Sequence, residues 1–178
     1  MELTDHFLIA TPTTEKSLFS GSVIYITRHT LNQGAVGVII NKPVGSSLAN
    51  MFKDMDITQY NPSWGNNSLY LGGPINPNNG FFLHKPVNNQ ECCYELTGNK
   101  DYLADVNKSN IGLFMSVGYS EWAPMQLETE IQQNFWLVVK SCDNILFDMD
   151  PSIRYNEALK LIGVNNVSHL YCSGDIFA

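Results

Sequence analysis

Positive charge, thiols and long apolar runs are all scarce in this chain. Ten Lys and Arg stand against 17 Asp and Glu, a formal net charge of −7 over 178 residues. A field of that sign repels phosphate backbones, and no basic stripe interrupts it, so direct nucleic-acid binding is disfavoured, as is attachment to anionic membrane surfaces. No stretch approaches the roughly 20 consecutive apolar residues of a membrane-spanning helix. The opening Met1-Glu2-Leu3-Thr4-Asp5 is acidic where a secretory signal needs positive charge, and Phe7-Leu8-Ile9-Ala10 is too short for its apolar segment. Cysteine is limited to Cys92, Cys93, Cys142 and Cys172, too sparse for a secreted disulfide scaffold and better suited to reduced thiols. A cytoplasmic location is therefore expected. Repeats and low-complexity tracts are missing too, which sets aside solenoids and propellers.

What is present is globular composition. Hydrophobic residues make up 44% and charged residues 15%, far from the signature of disorder, and the length suits a single domain spanning residues 1–178. Runs rich in β-branched and aromatic residues predict strands at Phe7 to Ala10, Val23 to Thr27, Val36 to Ile40 and Ser68 to Leu71. Further strands are predicted at Phe81 to His84, Cys92 to Leu96, Ile111 to Val117 and Phe135 to Val139, with loops over Tyr60 to Ser68 and Asn76 to Gly80. Val23-Ile24-Tyr25-Ile26 and Val36-Gly37-Val38-Ile39-Ile40 are nearly continuous apolar runs, as in strands covered on both faces.

Three helices carry both a periodic stripe and end signals. The first follows Ser46 or Ser47 with Leu48, Met51, Phe52 and Met55 on one face. The second begins near Pro124 with Leu127, Ile131 and Phe135 inward and Glu128 and Glu130 toward solvent. The third has Asp150 as N-cap, Pro151 in the first helical position, the stripe Tyr155, Ala158, Leu159 and Ile162, and Gly163 to end it. A shorter helix is predicted from Asp101 to Val106. Strands follow one another through short turns, so the fold class is α+β: a mixed, mostly antiparallel, open barrel-like sheet surrounded by helices.

Tests for self-sufficient chemistry return little. Gly34-Ala35-Val36-Gly37 lacks the Lys-Ser/Thr ending of a phosphate loop and leads into a strand, as a hairpin turn would. Phe114-Met115-Ser116-Val117-Gly118 has Phe114 where a nucleophile elbow requires glycine. His6, His29, His84 and His169 are scattered, and no pair has metal-ligand spacing, so neither a catalytic set, a metal nor a cofactor is predicted. Cys92-Cys93 is best taken as small apolar residues on a strand. The distinctive segments are Asn41-Lys42-Pro43, Gly72-Gly73-Pro74 with Gly80-Phe81-Phe82-Leu83-His84, and Gly118-Tyr119-Ser120-Glu121-Trp122. Each sets glycine or proline beside a polar or aromatic side chain at a strand end, where binding clefts are commonly built.

Taken together and in order, these segments resemble the YqgE/AlgH family of bacterial proteins. The likeness extends through His6-Phe7-Leu8-Ile9-Ala10, Phe19 with Ser22-Val23-Ile24-Tyr25-Ile26, Gln126-Leu127-Glu128, Asn134 with Trp136-Leu137, Ile145-Leu146-Phe147, and Arg154 before Ala158 and Gly163. The resemblance implies an open barrel-like α+β fold and supplies no activity; one branch takes its name from a proposed regulatory role in alginate production. Many members carry Cys then Glu directly before the histidine that aligns with His29. Thr27 and Arg28 stand there in this chain, so no thiol role is carried over.

The expectation is a non-catalytic binding or regulatory protein with a protein or small-molecule partner, its surface formed by Asn41, Lys42, Pro43, Gly72, Gly73, Pro74, His84, Gly118 and Trp122. The alternatives are a hydrolase-like enzyme using His84 as base and a transcriptional regulator that touches nucleic acid.

Overall fold

The structure is a computed structural model that describes residues 2–14, 17–58, 60–84, 93–102 and 113–165. Among these residues nine strands form one sheet: β1 (His6–Ala10), β2 (Val23–Thr30), β3 (Gly34–Ile39), β4 (Pro43–Ser47), β5 (Ser68–Leu71), β6 (Ile75–His84), β7 (Glu95–Thr97), β8 (Met115–Trp122) and β9 (Trp136–Lys140). The order is β4-β5-β8-β3-β2-β1-β9, with β6 also on β8 and β7 on β6. Only β5 and β8 run parallel; the other described pairs are antiparallel. Helices α1 (Leu48–Asp54), α2 (Gln126–Gln132) and α3 (Pro151–Lys160) and a π-helical turn at Asn144–Asp148 pack around it. The sheet does not close into a barrel, and the expected α+β class holds.

Alternation along the central strands sorts side chains into two layers. Val23, Tyr25, Phe7, Ile9 and Val38 point to one face, where Ile145, Leu146, Ala158 and Leu159 of the π turn and α3 cover them. Ile24, Ile26, Leu8 and Ile39 point to the other, under Leu127 of α2. Both faces are covered, which is why β2 reads as an unbroken apolar run. A third cluster forms where Leu48 and Phe52 of α1 meet Leu69, Phe82 and Met115. Each such side chain contributes roughly 1.5–3 kcal/mol by leaving water.

Several boundaries differ from expectation. The Asn76 to Gly80 segment belongs to β6, but between Ile75 and Gly80 the ladder to β8 is interrupted, so loop chemistry survives as a bulge. β8 does not stop at Val117, because Gly118, at φ 68°, kinks the strand instead of ending it. β4 was not foreseen: it pairs with β5 only at Pro43 and Ser47, around Gly45, and so has no alternation to read. α2 starts after Pro124 because Met125 takes φ 65° between them. α3 matches expectation, the Asp150 carboxylate accepting the Ser152 N–H at 2.9 Å and Gly163 adopting φ 80°. Of the predicted Asp101–Val106 helix, residues 103–106 lie outside the described residues, and Lys100–Tyr102 forms a 3-10 turn; Cys92 and His169 lie outside as well.

Candidate functional site

The strand-end residues singled out by sequence take distinct local positions. Asn41 clamps the turn before β2: its Oδ1 accepts the Val23 N–H at 2.8 Å and its Nδ2 donates to the Gly21 carbonyl at 2.9 Å. Lys42 donates from Nζ to the Leu18 carbonyl at 2.7 Å, and burial pulls its ammonium below the usual lysine range. Pro43 pairs with Tyr70 in β5. Next to this corner the chain passes over β8 so closely that side chains do not fit. A Cβ on Gly73 would strike the Tyr119 carbonyl and the Ser120 hydroxyl, and one on Gly118 would strike the Gly73 carbonyl. Gly72 bridges strands there, donating to the Val117 carbonyl at 2.8 Å and accepting the Ile39 N–H at 3.0 Å. Backbone proximity thus accounts for all three glycines, with Pro74 exposed beyond them.

Trp122 is buried beneath α2. Its Nε1–H donates to Glu130 Oε2 at 2.8 Å, the Trp136 indole donates to the same oxygen at 2.7 Å, and Gln126 donates to Glu130 Oε1 at 2.9 Å. Glu128 likewise turns inward, its Oε1 lying 2.7 Å from His29 Nε2, while His29 Nδ1 accepts the Leu3 N–H at 3.2 Å. The expectation that Glu128 and Glu130 face solvent is therefore corrected: buried ring N–H groups from β2, β8 and β9 require acceptors, and α2 supplies them. His84, buried at the end of β6, is the cross-strand partner of Glu95, with Nε2 3.9 Å from Oε2.

The sheet comes nearest to closing where β7 approaches β2. The Tyr94 N–H donates at 2.9 Å to the Tyr25 hydroxyl, which donates in turn to Asp5 Oδ1 at 3.0 Å; burial pushes the Tyr25 phenol far above its ordinary pKa. Beside this contact lies a cavity of about 540 Å³. All five strands of the curl contribute to it: Thr27 and Arg28 from β2, Val36 from β3 and Phe81 from β6. β7 adds Glu95 and Leu96, and β8 adds Tyr119 and Glu121. The volume falls within the range that holds small molecules. Phe81 and Tyr119 meet edge to face at 5.2 Å. Thr27 sits at a bulge and donates from Oγ1 to the Val36 carbonyl at 3.2 Å, which fixes the adjoining Arg28 in register with Val36.

A second cavity, about 390 Å³, adjoins Arg154, a charged residue on the inner side of α3 that periodicity did not single out. Arg154 is 3% exposed. It donates from Nη1 to the Ile40 carbonyl at 2.6 Å and from Nε to the Met149 carbonyl at 3.0 Å, and lies 5.1 Å over the Tyr70 ring. It pins α3 to the end of β3. Among the described residues no three His, Cys, Asp or Glu side chains converge so as to hold a metal, and no helix is long and apolar enough to cross a membrane.

Compared with known proteins, residues 7–167 match the AlgH-like family, DUF179. A UPF0301 protein of Chromobacterium violaceum is 37% identical over 171 residues, covering 92% of this chain and 91% of that protein. Another, from Dechloromonas aromatica, is 35% identical over 173 residues, covering 93% and 92%. The solution structure of the AlgH protein from Pseudomonas aeruginosa matches with a TM-score of 0.74 at 31% identity, over 96% of this chain and 94% of that one. The crystal structure of DIP2367 from Corynebacterium diphtheriae shares the fold, with a TM-score of 0.73 at 18% identity, over 94% and 91%.

Proposed function

We propose that this chain, which belongs to the AlgH-like family, is a non-catalytic binding protein of the cytoplasm that acts as one domain and holds a small molecule in the mouth of its curled sheet. The observation that supports this is the convergence of five strands on a single cavity whose lining combines charged ends with an aromatic and aliphatic floor. Of the strand-end segments, those bearing Gly118, Trp122 and His84 shape this mouth through their neighbours Tyr119, Glu121 and Glu95, while Asn41–Pro43 and Gly72–Pro74 hold the framework behind it. A hydrolase-like alternative draws on the approach of His84 to Glu95, since a carboxylate beside an imidazole is one part of a general-base arrangement.

The test is retention of small molecules. The chain and a Val36→Trp variant, which fills the floor of the cavity, are incubated with a protein-free bacterial extract, separated from it and assayed by mass spectrometry, after both are shown to melt alike. Compounds held by the native chain and lost from the variant are expected. Identical profiles would remove the cavity as the binding site, and turnover abolished by His84→Ala would favour the enzyme instead.

A further inference from the structure

The cavity's charged groups are set out in a row. Arg28 on β2 pairs with Val36 on β3, and Val36 pairs with Glu121 on β8, so the three residues lie side by side across three strands. Directly paired residues project to one face, and adjacent strands are about 4.8 Å apart, which sets the Arg28 and Glu121 backbones about 10 Å from each other. Both side chains are exposed at the mouth, with half-buried Val36 between them. Opposite charges at this spacing can reach one another, yet among the described residues no ion pair or hydrogen bond joins Arg28 or Glu121 to any side chain. Phe81 and Tyr119 form an aromatic wall beside Glu121, while Glu95 of β7, which pairs with His84, turns its carboxylate to the other face of the sheet.

Each component selects a different feature of a ligand. A guanidinium presents a planar fork that matches a carboxylate through two parallel hydrogen bonds. A carboxylate beside aromatic rings suits an ammonium, which gains from ion pairing and from the ring faces together. The Val36, Leu96, Phe81 and Tyr119 surfaces suit an apolar side chain of the same ligand. A ligand bearing only a negative group would meet the Glu121 carboxylate, and one bearing only a positive group would meet the guanidinium.

From this arrangement we infer that the cavity binds an apolar zwitterion, which offers an ammonium and a carboxylate to the two charged walls and an apolar side chain to the floor, as an apolar amino acid or a short peptide does. Arg28 receives the carboxylate, and Glu121 receives the ammonium. This rests on the cavity being the binding site, as proposed above, and adds the class of ligand.

The full chain is titrated with phenylalanine, leucine and a leucyl-phenylalanine dipeptide, followed by amide chemical shifts and calorimetry. The same probes are then used with the amine acetylated or the carboxylate amidated. Saturable binding of at least one free zwitterion is expected below about 10 mM, with either blocked form weaker by tenfold or more. Arg28→Gln should abolish the preference for free carboxylate over amide, and Glu121→Gln should reduce the preference for free amine over acetylated amine. Blocked probes that bind as well as free ones, or variants that keep both preferences, would overturn the assignment. So would the absence of saturable binding by every zwitterion. If the extract yields cavity-bound compounds lacking either charge, the binding reading stands and the zwitterion is wrong; if Val36→Trp changes nothing, both fall.

Discussion

Two pairs of glutamates border the same curled sheet and are treated in opposite ways. Glu128 and Glu130, on α2, face inward and accept hydrogen bonds from ring nitrogens rooted in the sheet. Glu121, on β8, faces the cavity, and Glu95, on β7 at the same mouth, is an exposed carboxylate that comes no nearer to a partner than 3.9 Å from His84. The first pair completes the hydrogen bonding of buried donors and so belongs to the folding problem. The second pair leaves its charge in water, which contributes almost nothing to folding and stays available to a ligand. Partnership, more than position near a strand end, separates framework from candidate site here.

Substitutions can break this contrast. The largest effect is expected for Glu130→Ala, which strands two indole N–H groups beneath α2 and should destabilise the chain by about 3 kcal/mol in urea unfolding. Glu130→Gln keeps an acceptor oxygen and should recover part of that loss. A Glu130→Ala cost below about 1 kcal/mol would show that the indoles find other acceptors. Glu128→Ala removes one bond to one buried ring and should cost less, about 1–2 kcal/mol.

At the cavity the same chemistry should leave stability alone. Glu121→Gln and Arg28→Gln are expected to change unfolding free energy by no more than about 0.5 kcal/mol, the usual span for exposed positions without partners. Thermal unfolding of the single and double variants checks this. A loss comparable to that of Glu128→Ala would place these residues in the framework and erase the distinction.

How far the sequence reveals these roles follows from the distance between partners. β1, β2 and β5 are legible because apolar runs are local, and α3 because Asp150, Pro151 and Gly163 mark its ends within the segment itself. The burial of Arg154 is not, since its acceptor, the Ile40 carbonyl, is remote in sequence. His29 is hidden in the same way: its partners Leu3 and Glu128 lie on either side of it in the chain, far from any shared motif. Gly72, Gly73 and Gly118 are conspicuous in sequence, but whether glycine serves a ligand or a passing backbone depends on what lies above it. The cavity was least legible of all. Arg28 and Glu121 look like ordinary surface charges until strand register sets both beside Val36.

Asp150 offers the finest version of the comparison, because its carboxylate is exposed yet partnered. Its hydrogen bonds from the Ser152 hydroxyl and backbone N–H hold it below the ordinary carboxylate range of 3.8. With the folded-state value depressed, the ionised cap stabilises the chain above the unfolded-state pKa, and that contribution is lost as pH falls through the folded-state value. Asn is also a good N-cap and does not titrate. The midpoint difference between the native chain and Asp150→Asn should therefore shift against the native chain as pH falls below about 4, and be flat from about 5 to 7. Thermal unfolding across that range measures it. Curves that stay parallel down to acid pH would mean that the Ser152 bonds do not distinguish the ionised cap from a neutral one, and that exposure outweighs partnership at this position.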